Sequence, residues 1–553
     1  MSNLRSWFKE GTPWIWLIAG SISVSLFLVI GVLALISLRG LGYFWPADVM
    51  EFQYQEPKAN AVRLVGEIYD QEFVSSTRLR DAGITLEGNA ERVERLLFKT
   101  GNRDFLGADF RWIVGPFITQ RSTPADLTVI ERREWGNVYG YLRGVKEAGR
   151  EVATGAASWD EFKVRGERVA DLQEKIHRIE KDDIGAINYG MERLRLEQRK
   201  LELKQAFTPQ QQGILDERRN ALQSQFGELE KQLTTLNQEI SRDSYLVELM
   251  DGRTVELPMA KVVRAFRPNG MNTFQKFRHY GMKLWEFVSD EPREANTEGG
   301  IFPAIFGTVL MVIIMSIIVT PLGVVAAVYL REYAKQGVLN RMIRIAVNNL
   351  AGVPSIVYGL FGLGFFVYFL GGGIDRMFFP EALPSPTFGT GGILWAALTL
   401  SLLTLPVVIV ATEEGLSRIP RAIREGSLAL GATKAETLWR TVIPMASPAI
   451  MTGLILSVAR AAGEVAPLML VGVVKLAPSM PLDANAPFLH LDRKFMHLGF
   501  HIFDVGFQSP NVEAARPLVY ATALLLVIII LVLNLAAIAI RNHLREKYRN
   551  LEN

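Results

Sequence analysis

The chain has 553 residues, 49% of them hydrophobic and 21% charged, with a formal net charge of +3 and no cysteine. That length exceeds one ordinary domain, the near-neutral balance supplies no basic field for nucleic acid, and the missing thiols exclude disulfides and thiolate metal sites. Apolar runs and charges are segregated along the chain, as in a membrane protein that carries a large polar domain.

The first apolar run, Trp14–Leu38, contains no charge and exceeds the ~20 residues a helix needs to cross hydrocarbon. A cleaved signal peptide is the competing reading, but the core is too long and no A-x-A-like site follows. Arg5 and Lys9 precede the run and favour a cytoplasmic N-terminus. Further runs fall at Ile301–Leu330, Gly352–Leu370, Ile393–Thr412, Ala446–Val474 and Leu518–Ile540. Lys and Arg cluster before span one, after span two, between spans four and five, and after span six, where Arg541, Arg545, Lys547 and Arg549 stand. An N-in topology of six spans puts all four clusters, and both termini, in the cytoplasm.

Residues 45–299 hold no spanning run, and this topology makes them periplasmic. Short β-like runs occur at Val62–Tyr69, Phe110–Ile118 and Thr128–Arg133. Tyr245–Met250 and Thr254–Leu257 flank Asp251-Gly252, a hairpin signal. Between them Leu215, Leu222, Leu229 and Leu236 recur every seventh residue, with Phe226, Leu233 and Ile240 completing an a/d seam. Val169, Leu172, Ile176 and Ile179 continue the pattern upstream, as do Ile187, Met191, Leu194 and Leu201; Thr208-Pro209 suits a helix restart. The expected fold is a polytopic α-helical membrane protein of six spans with an extracytoplasmic α+β insertion containing an antiparallel coiled-coil hairpin. The hairpin (159–243), with arms of roughly 50 Å, would project from a β-containing base (45–158 and 244–299). It reads equally as a docking arm or as a spacer that pairs only with itself. The remaining divisions are 1–44 for the tail and first span, 300–545 for a core of five spans with the loop 413–444, and 546–553 for a cytoplasmic tail.

The loop between spans four and five reads Arg424-Glu425-Gly426-Ser427-Leu428-Ala429-Leu430-Gly431-Ala432-Thr433-Lys434 and runs on to Val442-Ile443-Pro444. It predicts a charged helix that Gly431 breaks or turns, with Pro444 where the next membrane helix begins. Span five carries Arg460 and Glu464, four apart. Ionised groups at membrane depth cost at least ~2.5 kcal/mol on insertion scales, so they face a partner or an aqueous path. They read either as a pair that pins helix packing or as an anion pathway, since a guanidinium fork matches phosphate oxygens. The sequence has no G-x-x-x-x-G-K-[ST] phosphate loop, so ATP hydrolysis would belong to another subunit. His497 and His501, four apart before span six, are weak metal-ligand candidates with no H-E-x-x-H context, and no metal site is assigned to them. Gly359, Gly362 and Gly364 suggest close helix approach in span three, and Thr320-Pro321 suggests a kink in span two.

In spacing, the 424–444 loop resembles the "EAA" coupling motif of ABC importer permeases. Glu425, Gly431, Ile443 and Pro444 match, while Gly426-Ser427 replaces Ala-Ala and Thr441 takes the usual Ile position. Arg460-Ala-Ala-Gly-Glu464-Val-Ala-Pro-Leu is similar to the span-five signature of the PstA family of phosphate permeases. Gly352-Val-Pro-Ser-Ile-Val-Tyr-Gly-Leu-Phe361 resembles that family's third span. The resemblance covers residues 301–545 and leaves the insertion unexplained.

It implies the type I ABC importer permease fold, with Arg460 and Glu464 on the substrate path. It also implies the coupling loop in a groove of the ATPase, and an inner-membrane subunit with no catalytic site and no cofactor. The implied partners are a PstC-like second permease, PstB-like ATPases and a periplasmic PstS-like phosphate-binding protein. An importer of another solute, such as sulfate or molybdate, is an alternative, as is a membrane scaffold or sensor whose insertion is the working part.

Overall fold

The computed structural model describes residues 11–57, 59–81, 83, 84, 86, 90–293, 296–335, 337–509 and 512–548. Arg5, Lys9 and Arg549 lie outside them. Among the described residues six helices are long and apolar enough to cross a membrane: Trp14–Gly42, Phe302–Tyr333, Ser355–Phe378, Ile393–Arg418, Lys434–Gly463 and Ala515–His543. They are spans one to six.

The fifth span departs from the apolar run 446–474. Its helix ends at Gly463, Glu464 is extended, and a short helix Ala466–Val471 restarts behind it. Pro467 is the cause: it has no N–H to give Gly463, and it sits instead in the first turn of the new helix, where none is needed. Hydropathy counts side chains and is blind to that missing donor. Pro321 stays inside the helix of span two, while the Thr320 hydroxyl bonds the Ser316 carbonyl at 2.7 Å.

Small residues hold the bundle together. A Cβ on Gly323 would lie 2.5 Å from Val408, and one on Gly453 would lie 2.8 Å from Ala411, so spans two and five both press on span four. Span four is central, with Ala396, Ala397, Leu400, Thr404 and Val408 all buried. Span one stands at the margin, its Trp16, Phe27 and Leu38 exposed, and meets span six where Gly40 lies against the Tyr520 backbone.

Between spans one and two lie two antiparallel sheets. The first takes β1 (Val49–Tyr54), β2 (Val62–Ser75), β3 (Arg92–Lys99), β4 (Phe110–Val114) and β5 (Ile118–Ser122), in the order β4-β3-β2-β1-β5. The second takes β6 (Thr128–Arg132), β7 (Val138–Glu147), β8 (Arg150–Thr154), β9 (Asp243–Glu248), β10 (Thr254–Pro258) and β11 (Val262–Phe266), in the order β10-β9-β7-β6-β11 with β8 on β7. Gly252, at φ 82°, turns the β9–β10 hairpin where Asp251-Gly252 predicts it. Val49, Val65, Leu127, Val129 and Tyr139 form one buried cluster joining the two sheets.

A helical hairpin leaves the second sheet. One arm runs Ser158–Arg178 and Ile184–Leu203 through a π turn at 179–183; the other runs Pro209–Ile240. Thr208 and Gln211 form a reciprocal capping box at the restart, with Pro209 in the first turn. Leu215 and Ile240 are buried and Leu222, Leu229 and Leu236 half-buried. The hairpin does not project freely. It lies against the loops of the membrane bundle: the Tyr189 hydroxyl donates to the Ala486 carbonyl at 2.5 Å, its ring meets His490 edge-on, and Lys200 pairs with Glu381 at 3.3 Å. Heptads specify what pairs along a seam and carry no information about the outer faces, which here find partners ~100 to 300 residues away.

Candidate functional site

Arg460 and Glu464 come together, but not on one continuous helical face. Arg460 is in the last turn of the span-five helix and Glu464 is the extended residue just past its end. Arg460 Nε lies 3.7 Å from Glu464 Oε1, an ion pair without hydrogen-bond contact, and both side chains are partly exposed. The break is clamped from two sides. A Cβ on Gly359 of span three would sit 2.6 Å from the Pro467 Cα, and Val465 presses within 2.5 Å of where a Cβ on Gly499 would be. The third-span and fifth-span motifs, a hundred residues apart, therefore meet at Gly359 and Pro467. Gly362 is similarly tight, a Cβ there falling 2.3 Å from the Thr399 hydroxyl, whereas Gly364 faces open space.

Irregular backbone at membrane depth is tolerated where protein buries it or where it borders an aqueous cavity. Here protein covers one side, and the partly exposed Arg460–Glu464 pair faces the other. His497 and His501 belong to the covering side. Both are buried; His497 Nδ1 accepts from the Gly499 amide at 3.1 Å, and His501 Nδ1 is 3.5 Å from the Thr522 hydroxyl. Burial holds both imidazoles down at about 4, hence neutral near pH 7. Among the described residues no group of three acidic, His or Cys side chains converges on a common point.

The loop between spans four and five is a helix-turn-helix. The first helix, Arg421–Ala429, ends at Gly431 with φ 87°, a left-handed residue that costs glycine nothing. Thr433 then caps the next turn reciprocally with Glu436, and the chain enters the Ile443–Gly463 helix with Pro444 in its first turn. Ile443 packs against the buried cluster that holds Leu330 and Leu416 and so anchors this end of the loop. Glu425 and Gly431 are exposed. The loop is tied to the end of span two: Arg424 Nη2 pairs with Glu332 Oε1 at 3.0 Å, and the Lys434 ammonium bonds the Glu332 carbonyl.

Two residues on this loop carry a signal that motif spacing missed. Leu430 is 91% exposed and Trp439 70% exposed, with Leu428 exposed on the same segment. A large apolar residue at the tip of a polar loop is the readable sign, because its exposure is unfavourable unless a partner covers it.

A family model described as "Binding-protein-dependent transport system inner membrane component" matches residues 319–550. The phosphate transport system permease protein PstA 1 of Mycobacterium tuberculosis is 36% identical over 244 residues, 44% of this chain and 71% of that protein. The phosphate transport system permease protein PstA of Yersinia pestis is 32% identical over 257 residues, 46% of this chain and 77% of that protein. The probable ABC transporter permease protein YqgH of Bacillus subtilis is 31% identical over 219 residues, 39% of this chain and 67% of that protein. The family match leaves residues 1–318 outside it, the first span and the two sheets included. The matched region holds the helix break and the loop of this chain, and the chain belongs to the binding-protein-dependent transport system inner membrane component family, as a multi-pass protein of the inner membrane.

Proposed function

We propose that this chain is the PstA-type permease subunit of an ATP-driven phosphate importer. The observation that carries the reading is the meeting of Gly359 and Pro467 beside the Arg460–Glu464 pair, within residues 319–550 of the family match; proteins named as phosphate permeases, 36% and 32% identical, support it. Arg460 supplies a permanently charged fork for a phosphate oxyanion, and Glu464, 3.7 Å away, limits how tightly the anion is held. The helix break lets backbone and side chain face the path together.

In this reading both termini are cytoplasmic, and residues 45–299 form a periplasmic unit between the first span (1–44) and the core (300–545). The hairpin 159–243 is its coiled-coil arm, and 546–553 is a cytoplasmic tail. Glu425, Gly431, Leu430 and Trp439 seat in the groove of a PstB-like ATPase, whose closure moves the 413–444 loop. A PstC-like permease completes the path, and a PstS-like binding protein delivers phosphate. The test is radiolabelled phosphate uptake in cells lacking the chromosomal copy. Arg460→Gln should lower uptake at least tenfold while the assembled complex is still recovered. Normal uptake in that variant removes the anion relay, and sulfate or molybdate uptake in place of phosphate removes the substrate.

A further inference from the structure

Where spans one and six meet the sheets, the described residues enclose a cavity of about 510 Å³. Its floor is the first sheet, with Glu67 and Asp70 on β2 and Lys99 on β3. One wall is the helix Thr273–Ser289, and the mouth is made by the ends of the two spans. Gly40 lets span one approach the Tyr520 backbone, and a Cβ there would lie 2.9 Å from its carbonyl oxygen. Arg39, next to Gly40, and Arg516, one turn before Tyr520, therefore share the rim. Among the described residues no carboxylate lies within 4 Å of Arg516, and Arg39 has only Asp70 at 3.9 Å. Lys283 and Arg293, deeper in the wall, are already committed to Glu131 and Glu286 at 2.7 and 2.9 Å.

The surroundings are those of a membrane boundary. Leu35 and Leu38 of span one line the cavity and are exposed on their outer side. The helix Thr273–Ser289 turns Tyr280, Leu284 and Phe287 inward against Phe44, while Phe274 and Trp285 are 76% and 71% exposed. Trp45 stands edge-on to Phe277 at 5.2 Å. An aromatic belt beside the end of an apolar span is how proteins mark the headgroup level. The cavity carries as many acidic as basic side chains, which disfavours a purely anionic guest. Its volume falls in the range of sites for molecules much larger than a free phosphate ion.

We propose that this cavity is a phospholipid site selective for a zwitterionic headgroup with a primary amine. The lipid phosphate sits between Arg39 and Arg516, the ammonium reaches Glu67 and Asp70, and the acyl chains follow Leu35 and Leu38. Which leaflet supplies the lipid rests on the orientation proposed above; the binding itself does not.

The assembled transporter, purified in mild detergent, is examined by native mass spectrometry. It should retain one phosphatidylethanolamine per copy of this chain, and the Arg39→Ala/Arg516→Ala variant should lower that occupancy at least tenfold. In parallel, the wild-type complex should show a higher melting midpoint in nanodiscs of phosphatidylethanolamine than in phosphatidylglycerol, and any shift from inorganic phosphate in detergent should be the same in the wild type and in the Arg39→Ala/Arg516→Ala variant. Unchanged retention in the variant overturns the site. Equal retention of phosphatidylglycerol overturns its selectivity, and a stabilisation by inorganic phosphate that the Arg39→Ala/Arg516→Ala variant loses, with neither lipid stabilising, reassigns the rim arginines to a free anion. Phosphate uptake is not the readout, so failure here and failure of the transport reading remain separate.

Discussion

The membrane bundle and the insertion solve the same problem, holding distant segments together, with opposite chemistry. In the bundle the contacts are made by what is missing: Gly323, Gly359, Gly415 and Gly453 leave room for a neighbour that any Cβ would strike. Hydrocarbon solvates Leu as well as a protein does, so association there depends on close packing rather than on burial. In the insertion, ion pairs between distant segments stand beside the apolar clusters. Arg165 reaches Asp243, Glu147 and Glu161 at 2.7 to 2.9 Å, Arg63 bridges Glu51 on β1 to Glu248 on β9, and Arg132 is buried against Asp104. Water on the outside makes ions affordable only when they are paired where it is excluded, as at the fully buried Asp243. One region should fail by steric insult and the other by loss of charge.

The largest effect is expected at the steric extreme. Gly359→Leu drives side-chain atoms into the Pro467 backbone, which cannot yield as a flexible side chain would. Phosphate uptake should vanish and little complex should be recovered, whereas Gly364→Leu, facing open space, should be recovered normally. Equal recovery of the two variants would break the comparison on the membrane side. Next comes Arg165→Met, which leaves Asp243 buried with a weaker set of partners, Arg168 at 3.2 Å and Arg242 at 3.5 Å. Removing one partner of a buried pair costs about 3–5 kcal/mol. Limited proteolysis should then cut the hairpin and its sheet while the spanning helices stay protected and assembled.

A pH titration sharpens the same contrast. Lys283, Arg264 and Arg293 outweigh the burial of Glu286 and hold its carboxyl down at about 2, from an ordinary 4.5. A depressed acid contributes stability that is complete above about 4.5 and lost as pH falls through about 2. His279 adds in the same direction: burial lowers it from 6.5 to about 4, so charging it below 6.5 also costs the folded state. The melting midpoint should fall from about pH 6.5 to 4 through His279 and from about 4.5 to 2 through Glu286, the second part being smaller in Glu286→Gln, and an identical slope there in both would remove the cluster from the account. The smallest effect is expected for Tyr189→Phe, which deletes one exposed bond to Ala486 worth roughly 0.5–1.5 kcal/mol. Faster amide exchange confined to residues 481–493 is the expected sign.

What could be read in advance follows the same division. Hydropathy located six spans because each is a local, additive property, and it misjudged span five because one proline ends a helix without changing the average. The loop turn at Gly431 and the restart at Thr208 were legible because capping needs only four residues in a row. In the insertion, Val62–Tyr69, Thr128–Arg133 and the Asp251-Gly252 hairpin were visible as strands. β1, β3 and β7 were not, since half-buried strands with charges on one face resemble any mixed segment. The meeting of Gly359 with Pro467, and of the hairpin with the loops at 381 and 486, had no sequence signature. Both depend on which surfaces a finished bundle presents.

Glu332 holds the loop between spans four and five twice, by its carboxylate to Arg424 and by its carbonyl to Lys434, although it belongs to the end of span two. A displacement applied at Leu430 therefore has two outlets. It travels forward through Ile443 and Pro444 into the helix that ends at Arg460, and backward through Glu332 into the helix bearing Pro321. Both helices press on span four, span two at Gly323 against Val408 and span five at Gly453 against Ala411, so the loop is joined to the central helix by two routes.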